Sequence, residues 1–332
     1  MKGSMLSAAR RINNSLKQRL PIPIRQFLLR YEGLAGQFFS VPDYGFPKIV
    51  GIETTNKCNL RCNHCPSHNG SSPRREGVME ESLFNQLIKE ISEKSKTKHI
   101  ELHKDGEPLI HPEISEFVRS AKGIGLKIKL TTNGLLLKPN IASKIFESKI
   151  DEVEFSIGAA DPGTYRKVRG GNLNRLESTI NEAIRMREQL QNPLTTRFIF
   201  QIIRTVEIND KEINSFKNKW STVRNSAILI KDYANWAGAF SGHDAHMKRY
   251  PCGLLWIYPS INWNGNVSAC CQDWKEELII GNVNQKSIEE IWSGEKLKEL
   301  RKMHINASIP PAHPCCECNG WSFMSRMFNL KV

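Results

Sequence analysis

Thr54-Thr55-Asn56-Lys57-Cys58-Asn59-Leu60-Arg61-Cys62-Asn63-His64-Cys65-Pro66 sets three cysteines within eight residues, spaced C-x3-C-x2-C, directly behind the run Lys48-Ile49-Val50-Gly51-Ile52. The apolar run reads as a buried strand that ends at Thr54. The loop leaving it can wrap three thiolates around one iron–sulfur cube. A cubane has four irons, so three local cysteines leave one iron open to a substrate or cofactor. Zinc is the competing reading, because Cys58, Cys62 and Cys65 with His64 or His68 would complete a tetrahedral set.

Downstream the chain repeats strand, loop and helix. Met79 to Lys94 has apolar residues at 83, 84, 87, 88 and 91, one helical face. Further strands are expected at Lys98–His103, Leu126–Thr131, Glu152–Ile157, Arg197–Ile203 and Ala227–Lys231, with helices at Pro112–Lys122, Ile141–Glu147, Leu173–Leu190 and Glu212–Val223. Six βα repeats make an α/β protein with a parallel sheet under helices. A curved, partial (β/α)6 TIM-like barrel is the natural closure, with a flat doubly wound sheet as the alternative. In both, the loops at the carboxyl ends of the strands line the site.

Those loops carry Lys104-Asp105-Gly106-Glu107-Pro108, Thr131-Thr132-Asn133-Gly134, and Ser156-Ile157-Gly158 followed by Tyr165 and Arg169-Gly170-Gly171. Together with the cysteine loop, in order at successive strand ends, they resemble the radical S-adenosylmethionine (SAM) enzymes over about residues 48–232. Asp105 stands where many members have glycine, and Gly158 where relatives usually have an acidic residue. The resemblance implies that Cys58, Cys62 and Cys65 hold a [4Fe-4S] cluster and that its open iron chelates SAM. It further implies that His64 lies beside the adenine, Gly106 and Glu107 by the methionine amine, Ser156 and Arg169 at the ribose and carboxylate, and Ile230 in the adenine pocket.

From Pro251 the texture changes to short strands, turns and the six remaining cysteines. Ile257–Trp263 and Asn266–Cys270 flank Asn264-Gly265, a hairpin signal, and a helix is expected over Ser287–Met303. Cys252, Cys270, Cys315 and Cys318 are the chosen ligands of a second metal centre, iron–sulfur or zinc. Cys271 and Cys316 are adjacent extras, either of which could replace a chosen ligand. The arrangement resembles the SPASM or shorter twitch extension of radical SAM enzymes, in its one-auxiliary-cluster form. That resemblance implies two [4Fe-4S] clusters in all, the rear one a closed cubane suited to electron transfer.

The expected organisation is thus a basic arm over 1–46, a barrel over 47–235, and a small cysteine-rich domain with a β-hairpin and helix over 250–332. The 332 residues carry a net charge of +13, and the arm alone holds seven Lys and Arg against Glu32 and Asp43. No recognition-helix or aromatic-basic pattern accompanies this charge, so no nucleic-acid partner is expected. Nine cysteines, mostly clustered, point to metal ligation in a reducing, cytoplasmic setting rather than to disulfides. No run is long and apolar enough to cross a membrane, and no secretory signal opens the chain. His243 and His246 read as a solvated loop.

The function expected is hydrogen abstraction from a sugar, cyclitol or nucleotide-sugar, giving dehydrogenation or epimerisation, since the layout resembles the aminocyclitol dehydrogenases. A flavodoxin- or ferredoxin-type electron donor is expected with it. Asp105, Lys231, Asp232 and Tyr233 are candidate catalytic bases near the barrel mouth. A peptide- or protein-modifying maturase is the alternative, disfavoured because residues 1–46 are too short for a leader-binding domain. A non-catalytic zinc-stabilised binding protein is a third reading.

Overall fold

The computed structural model describes residues 45–68, 72–240 and 251–322. Most of the basic arm, and the pair His243 and His246, lie outside the described residues.

Six parallel strands form the body: β1 (Ile49–Ile52), β2 (His99–Leu102), β3 (Lys127–Thr132), β4 (Glu152–Ser156), β5 (Arg197–Arg204) and β6 (Ser226–Asp232). They lie side by side in chain order, each parallel to the next. A doubly wound sheet reverses strand order at its switch point. This one does not, so it is the singly wound, partial-barrel arrangement.

The helices between strands are α1 (Glu81–Lys94), α2 (Ile114–Gly123), α3 (Pro139–Glu147), α4 (Pro162–Arg169), α5 (Leu173–Leu190) and α6 (Asp210–Trp220). α1 buries Leu83, Phe84, Leu87, Ile88 and Ile91, the face its periodicity predicts. α4 escapes a periodicity reading because its eight residues offer little apolar pattern. Its signals are local. The Asp161 side chain accepts from the Thr164 amide at 2.9 Å, Pro162 opens the first turn, and Gly170 closes the helix at φ +73°. That cap delivers Arg169 to the site.

Each strand is two-faced. Ile100 and Leu102, Ile128 and Leu130, Val153 and Phe155, and Phe198 and Phe200 are buried beneath the helices. On the opposite face of β2 to β5, Glu101, Lys129 and Gln201 line a cavity instead, and Glu154 supports its wall.

The rear segment extends the same sheet. β7 (Ser260–Ile261) pairs parallel to β1 with Gly51 opposite Ser260, and β8 (Asn266–Ser268) and β9 (Ile279–Asn282) continue antiparallel. The Asn264-Gly265 hairpin is present, with Gly265 at φ +87°. Its strands are shorter than expected, because a 3-10 turn occupies Gly253–Trp256 and Cys270 falls in a turn beyond β8. The helix expected over Ser287–Met303 is two helices, α7 (Ile288–Trp292) and α8 (Glu295–Ile305). The break has a cause: Ser293 Oγ donates back to the Glu289 carbonyl at 2.8 Å, and Gly294 turns extended to cap α8.

Candidate active site

At the carboxyl ends of β1–β6 lies a cavity of about 650 Å³. The cluster, SAM and base candidates outside the rear segment line it: Cys58, Cys62, Cys65, His64, Gly106, Glu107, Ser156, Arg169 and Ile230, together with Asp105, Lys231, Asp232 and Tyr233. Residues separated by up to 175 positions are thus brought to one wall.

The cysteine loop is stitched to β2 by backbone. The Glu107 amide donates to the Lys57 carbonyl at 2.8 Å, and a Cβ on Gly106 would stand 2.1 Å from the Thr55 carbonyl oxygen. Only glycine permits that approach. The Glu107 carboxylate is already engaged, accepting from Thr132 Oγ1 at 2.6 Å, the Asn133 amide at 2.7 Å and the Leu109 amide at 3.1 Å. It therefore fixes the β2 and β3 loops to each other.

Arg169 is buried and reaches across the cavity. Its Nη1 donates to Cys62 Sγ at 3.4 Å, and its Nη2 donates to Ser156 Oγ at 2.6 Å and the Ser156 carbonyl at 2.7 Å. Gly158, where relatives usually have an acidic residue, sits at φ +84° with Arg169 Nε only 2.5 Å from where a Cβ would be. A side chain there would displace the guanidinium. His64 is held neutral: burial, then the Arg169 charge, lowers its pKa to about 3.

Two candidate bases already hold charged partners. Asp105 pairs through Oδ2 with Arg74 at 2.7 Å and Lys104 at 3.3 Å, which leaves its Oδ1 open. Lys231 donates to Glu154 Oε1 at 2.9 Å. Burial pushes the Tyr233 hydroxyl up to about 12, so it is a proton donor at neutral pH.

Deeper in the cavity lies a charged floor that sequence reasoning missed. Lys129 pairs with Glu154 at 3.0 Å and Glu101 at 3.3 Å, and Tyr258 from the rear segment donates to Glu101 at 3.0 Å. Burial alone would raise the Glu154 pKa, but Lys231 and Lys129 outweigh it and hold it near 2. His103 stands on the same wall with its pKa lowered, by burial first and then by Lys231. The signal was present as polar alternation in His99-Ile100-Glu101-Leu102-His103 and Lys127-Ile128-Lys129-Leu130-Thr131.

The residues fit a polar ligand beside an iron–sulfur cluster. Asp105 Oδ1, Arg169 Nε and Gln201 Oε1 are buried beside this cavity with no hydrogen-bond partner among the described residues. A carboxylate and a guanidinium left open in this way complement an ammonium and a carboxylate. Burial pushes the Cys58 thiol up to about 11 and, with help from Asp105, the Cys65 thiol up to about 12. A bound cation is what would hold them as thiolates. Among the described residues, no three His, Cys, Asp or Glu side chains gather as ligands of a single metal ion.

In the rear, Cys252, Cys270, Cys315 and Cys318 are all buried, whereas Cys271 and Cys316 are half-buried. Cys271 lines the front cavity. Cys270 Sγ accepts from the Gln272 amide at 3.3 Å and Cys318 Sγ from the Gly320 amide at 3.2 Å. Such N–H···S bonds are common tuning contacts for cluster thiolates.

Comparison with known proteins agrees with this layout. Residues 52–195 match the radical SAM superfamily model, and residues 252–319 match SPASM, described as an iron–sulfur cluster-binding domain. A relative from Pyrococcus furiosus, the tungsten-containing aldehyde ferredoxin oxidoreductase cofactor-modifying protein, is 32% identical over 320 residues, covering 81% of this chain and 87% of its own. The chain belongs to the radical SAM superfamily. Its radical SAM domain is followed by a SPASM domain, families of SAM and iron–sulfur binding.

The chain spans about half the length of the first curated relatives it matches. Among solved structures, BtrN in complex with AdoMet and 2-DOIA is similar in fold at TM-score 0.58 and 19% identity, covering 82% of this chain and 93% of BtrN. Streptococcus suis SuiB bound to precursor peptide SuiA is similar at TM-score 0.65 and 13% identity, covering 88% and 73%. No helix among the described residues is long and apolar enough to cross a membrane.

Proposed function

We propose that this radical SAM enzyme removes hydrogen from a hydroxyl-rich small molecule, a sugar, cyclitol or nucleotide-sugar, and oxidises or epimerises it. The observation that carries this reading is the charged floor of the cavity, where Glu101, Lys129, Glu154 and Lys231 alternate in sign across β2, β3, β4 and β6. Paired donors and acceptors at the base of a pocket suit a ligand with many hydroxyls. An apolar groove open along its length would suit a peptide.

Cys58, Cys62 and Cys65 would hold one [4Fe-4S] cluster and Cys252, Cys270, Cys315 and Cys318 a second. When bound, these groups and SAM supply a 5′-deoxyadenosyl radical for hydrogen abstraction and a sink for the remaining electron. The chain itself then has three tasks. Arg169, with Ser156, orients the carboxylate and ribose of SAM, while His64 and Ile230 frame the adenine. Gly106 gives close backbone access to the loop. His103, kept neutral at pH 7 by its lowered pKa and so free to accept, takes the proton released from the substrate hydroxyl. The barrel unit is assigned to 47–235 and the cluster unit to 250–332, in a cytoplasmic protein served by a flavodoxin- or ferredoxin-type donor.

The test begins with iron and sulfide content after anaerobic reconstitution. Wild type should hold roughly eight irons per chain and the Cys58/Cys62/Cys65→Ala variant roughly four. Cyclitols and nucleotide-sugars are then screened for acceleration of 5′-deoxyadenosine release. His103→Gln should slow the accelerated reaction by about 100-fold and abolish the acid limb of its pH profile. Acceleration by peptides and not by cyclitols or sugars would overturn the reading.

A further inference from the structure

Lys104 and Asp105 leave β2 side by side and point opposite charges at the two cysteine-bearing segments. The Lys104 side chain is wholly buried, and its Nζ donates to the Asp273 carbonyl at 3.0 Å. The Asp273 amide in turn donates to the Cys270 carbonyl at 3.3 Å. The ammonium is therefore tied, through two hydrogen bonds, to the backbone of a rear cysteine.

Asp105 faces the other set. Its carbonyl lies 2.9 Å from His68 Nε2, and the His68 amide donates to the Cys65 carbonyl at 3.4 Å. Its carboxylate is 1% exposed, and its Oδ1 has no hydrogen-bond partner among the described residues. The two side chains touch at 3.3 Å, forming a dipole with its positive end toward the rear cysteines and its negative end toward the front ones.

Arg74 does not cancel this arrangement. Its guanidinium contacts Asp105 at 2.7 Å but also Glu53 at 2.5 Å and Glu276 at 2.9 Å. One cation is thus shared by three carboxylates, Glu276 among them from the rear segment, and Asp105 keeps part of its charge toward Cys65, while Arg169 stands as a separate cation on the Cys62 side of the front set at 3.4 Å.

A fixed charge in a low-dielectric interior acts strongly on its neighbours. Cluster potentials respond to local charge as well as to hydrogen bonding and exposure. A cation favours the reduced, more negative form of a cluster and an anion disfavours it. We infer that the Lys104–Asp105 pair sets the reduction potentials of the two clusters apart, holding the rear one up and the front one down. This rests on the reading that both cysteine sets hold clusters. A low front potential suits a group that must reduce a sulfonium, and a high rear potential suits an acceptor.

The experiment is a redox titration of the reconstituted holoprotein followed by electron paramagnetic resonance, on wild type, Lys104→Met, Lys104→Arg and Asp105→Asn. Lys104→Met should lower the rear potential by about tenfold in the one-electron equilibrium constant, about 59 mV, and the front potential by much less. Lys104→Arg, which keeps the charge, should leave both near wild type. Asp105→Asn should raise the front potential more than the rear, so that both charge-removing variants narrow the gap. A gap unchanged in both, in a protein holding two clusters, overturns the inference. Wild type holding only about four irons would instead sink the two-cluster reading. If Lys104→Met does not fold, Asp105→Asn still decides, because a merely structural role would not move the front potential upward alone.

Discussion

The two cysteine sets are built in opposite ways. The front three come from eight consecutive residues, and their loop is held by hydrogen bonds that owe nothing to metal: Glu107 to Lys57, Asn56 Nδ2 to the Arg75 carbonyl at 2.9 Å, and Gly77 to Asn56 Oδ1 at 2.8 Å. The rear four come from three places, at 252, at 270 and at 315 with 318, on segments with little regular structure. In the front the chain presents a site that a metal would complete. In the rear a metal would be one of the things holding the segments together.

That difference breaks if single cysteines behave alike. Cys62→Ser should abolish SAM cleavage, by at least about 1,000-fold, while moving the melting temperature little. Cys270→Ser should lower the melting temperature of the reconstituted protein by at least about 5 °C. Calorimetry beside a 5′-deoxyadenosine assay separates the two, and equal thermal losses would mean that the rear metal is no more structural than the front.

Arg74 is the joint between the two regions, since it binds Glu53 and Asp105 from the barrel and Glu276 from the rear. Arg74→Met would leave three carboxylates buried around an apolar side chain. Breaking a buried ion pair from one side costs about 3–5 kcal/mol, measurable by chemical denaturation at pH 7. A loss below about 1 kcal/mol would show that the regions are joined mainly by β7 on β1.

Acid should strike the barrel floor. The Glu154 pKa lies near 2 in the folded protein against an ordinary 4.5. Its ionised form therefore contributes about 3 kcal/mol of stability above pH 4.5. That contribution is lost progressively as pH falls from 4.5 toward 2. Glu154→Gln should remove this part of the acid dependence, as read from denaturation midpoints between pH 6 and pH 3. The smallest effect is expected at Gly158→Ala, where a left-handed backbone and the Arg169 contact together cost about 1–2 kcal/mol. Weaker SAM binding should accompany it, seen by calorimetric titration.

Much of the front was legible because its signals are local. A cysteine loop behind an apolar strand, and turn residues closing later strands, need no knowledge of distant partners. The charged floor was written as polar alternation in strands otherwise buried, a pattern that places one face against a lumen. The Arg74 cluster had no such signature, since Glu53, Arg74, Asp105 and Glu276 share no spacing and meet only through the fold. The parallel pairing of β7 with β1 was hidden for a related reason. β7 is two residues long, and its partner lies 209 positions earlier. The break at Ser293-Gly294 was readable in principle, because a glycine beside a serine is a poor helix interior.

The β7 pairing bears on how the protein must be handled. The amides of Ile49, Gly51 and Glu53 donate to the carbonyls of Ile257, Pro259 and Ile261 at 3.1, 3.0 and 2.8 Å. Without residues 251–322, β1 would be a bare sheet edge bearing Val50 and Ile52, a template for pairing with another chain. A fragment trimmed to the barrel would be a sticky product in expression, and the rear segment is the guard that keeps this edge from recruiting its own kind.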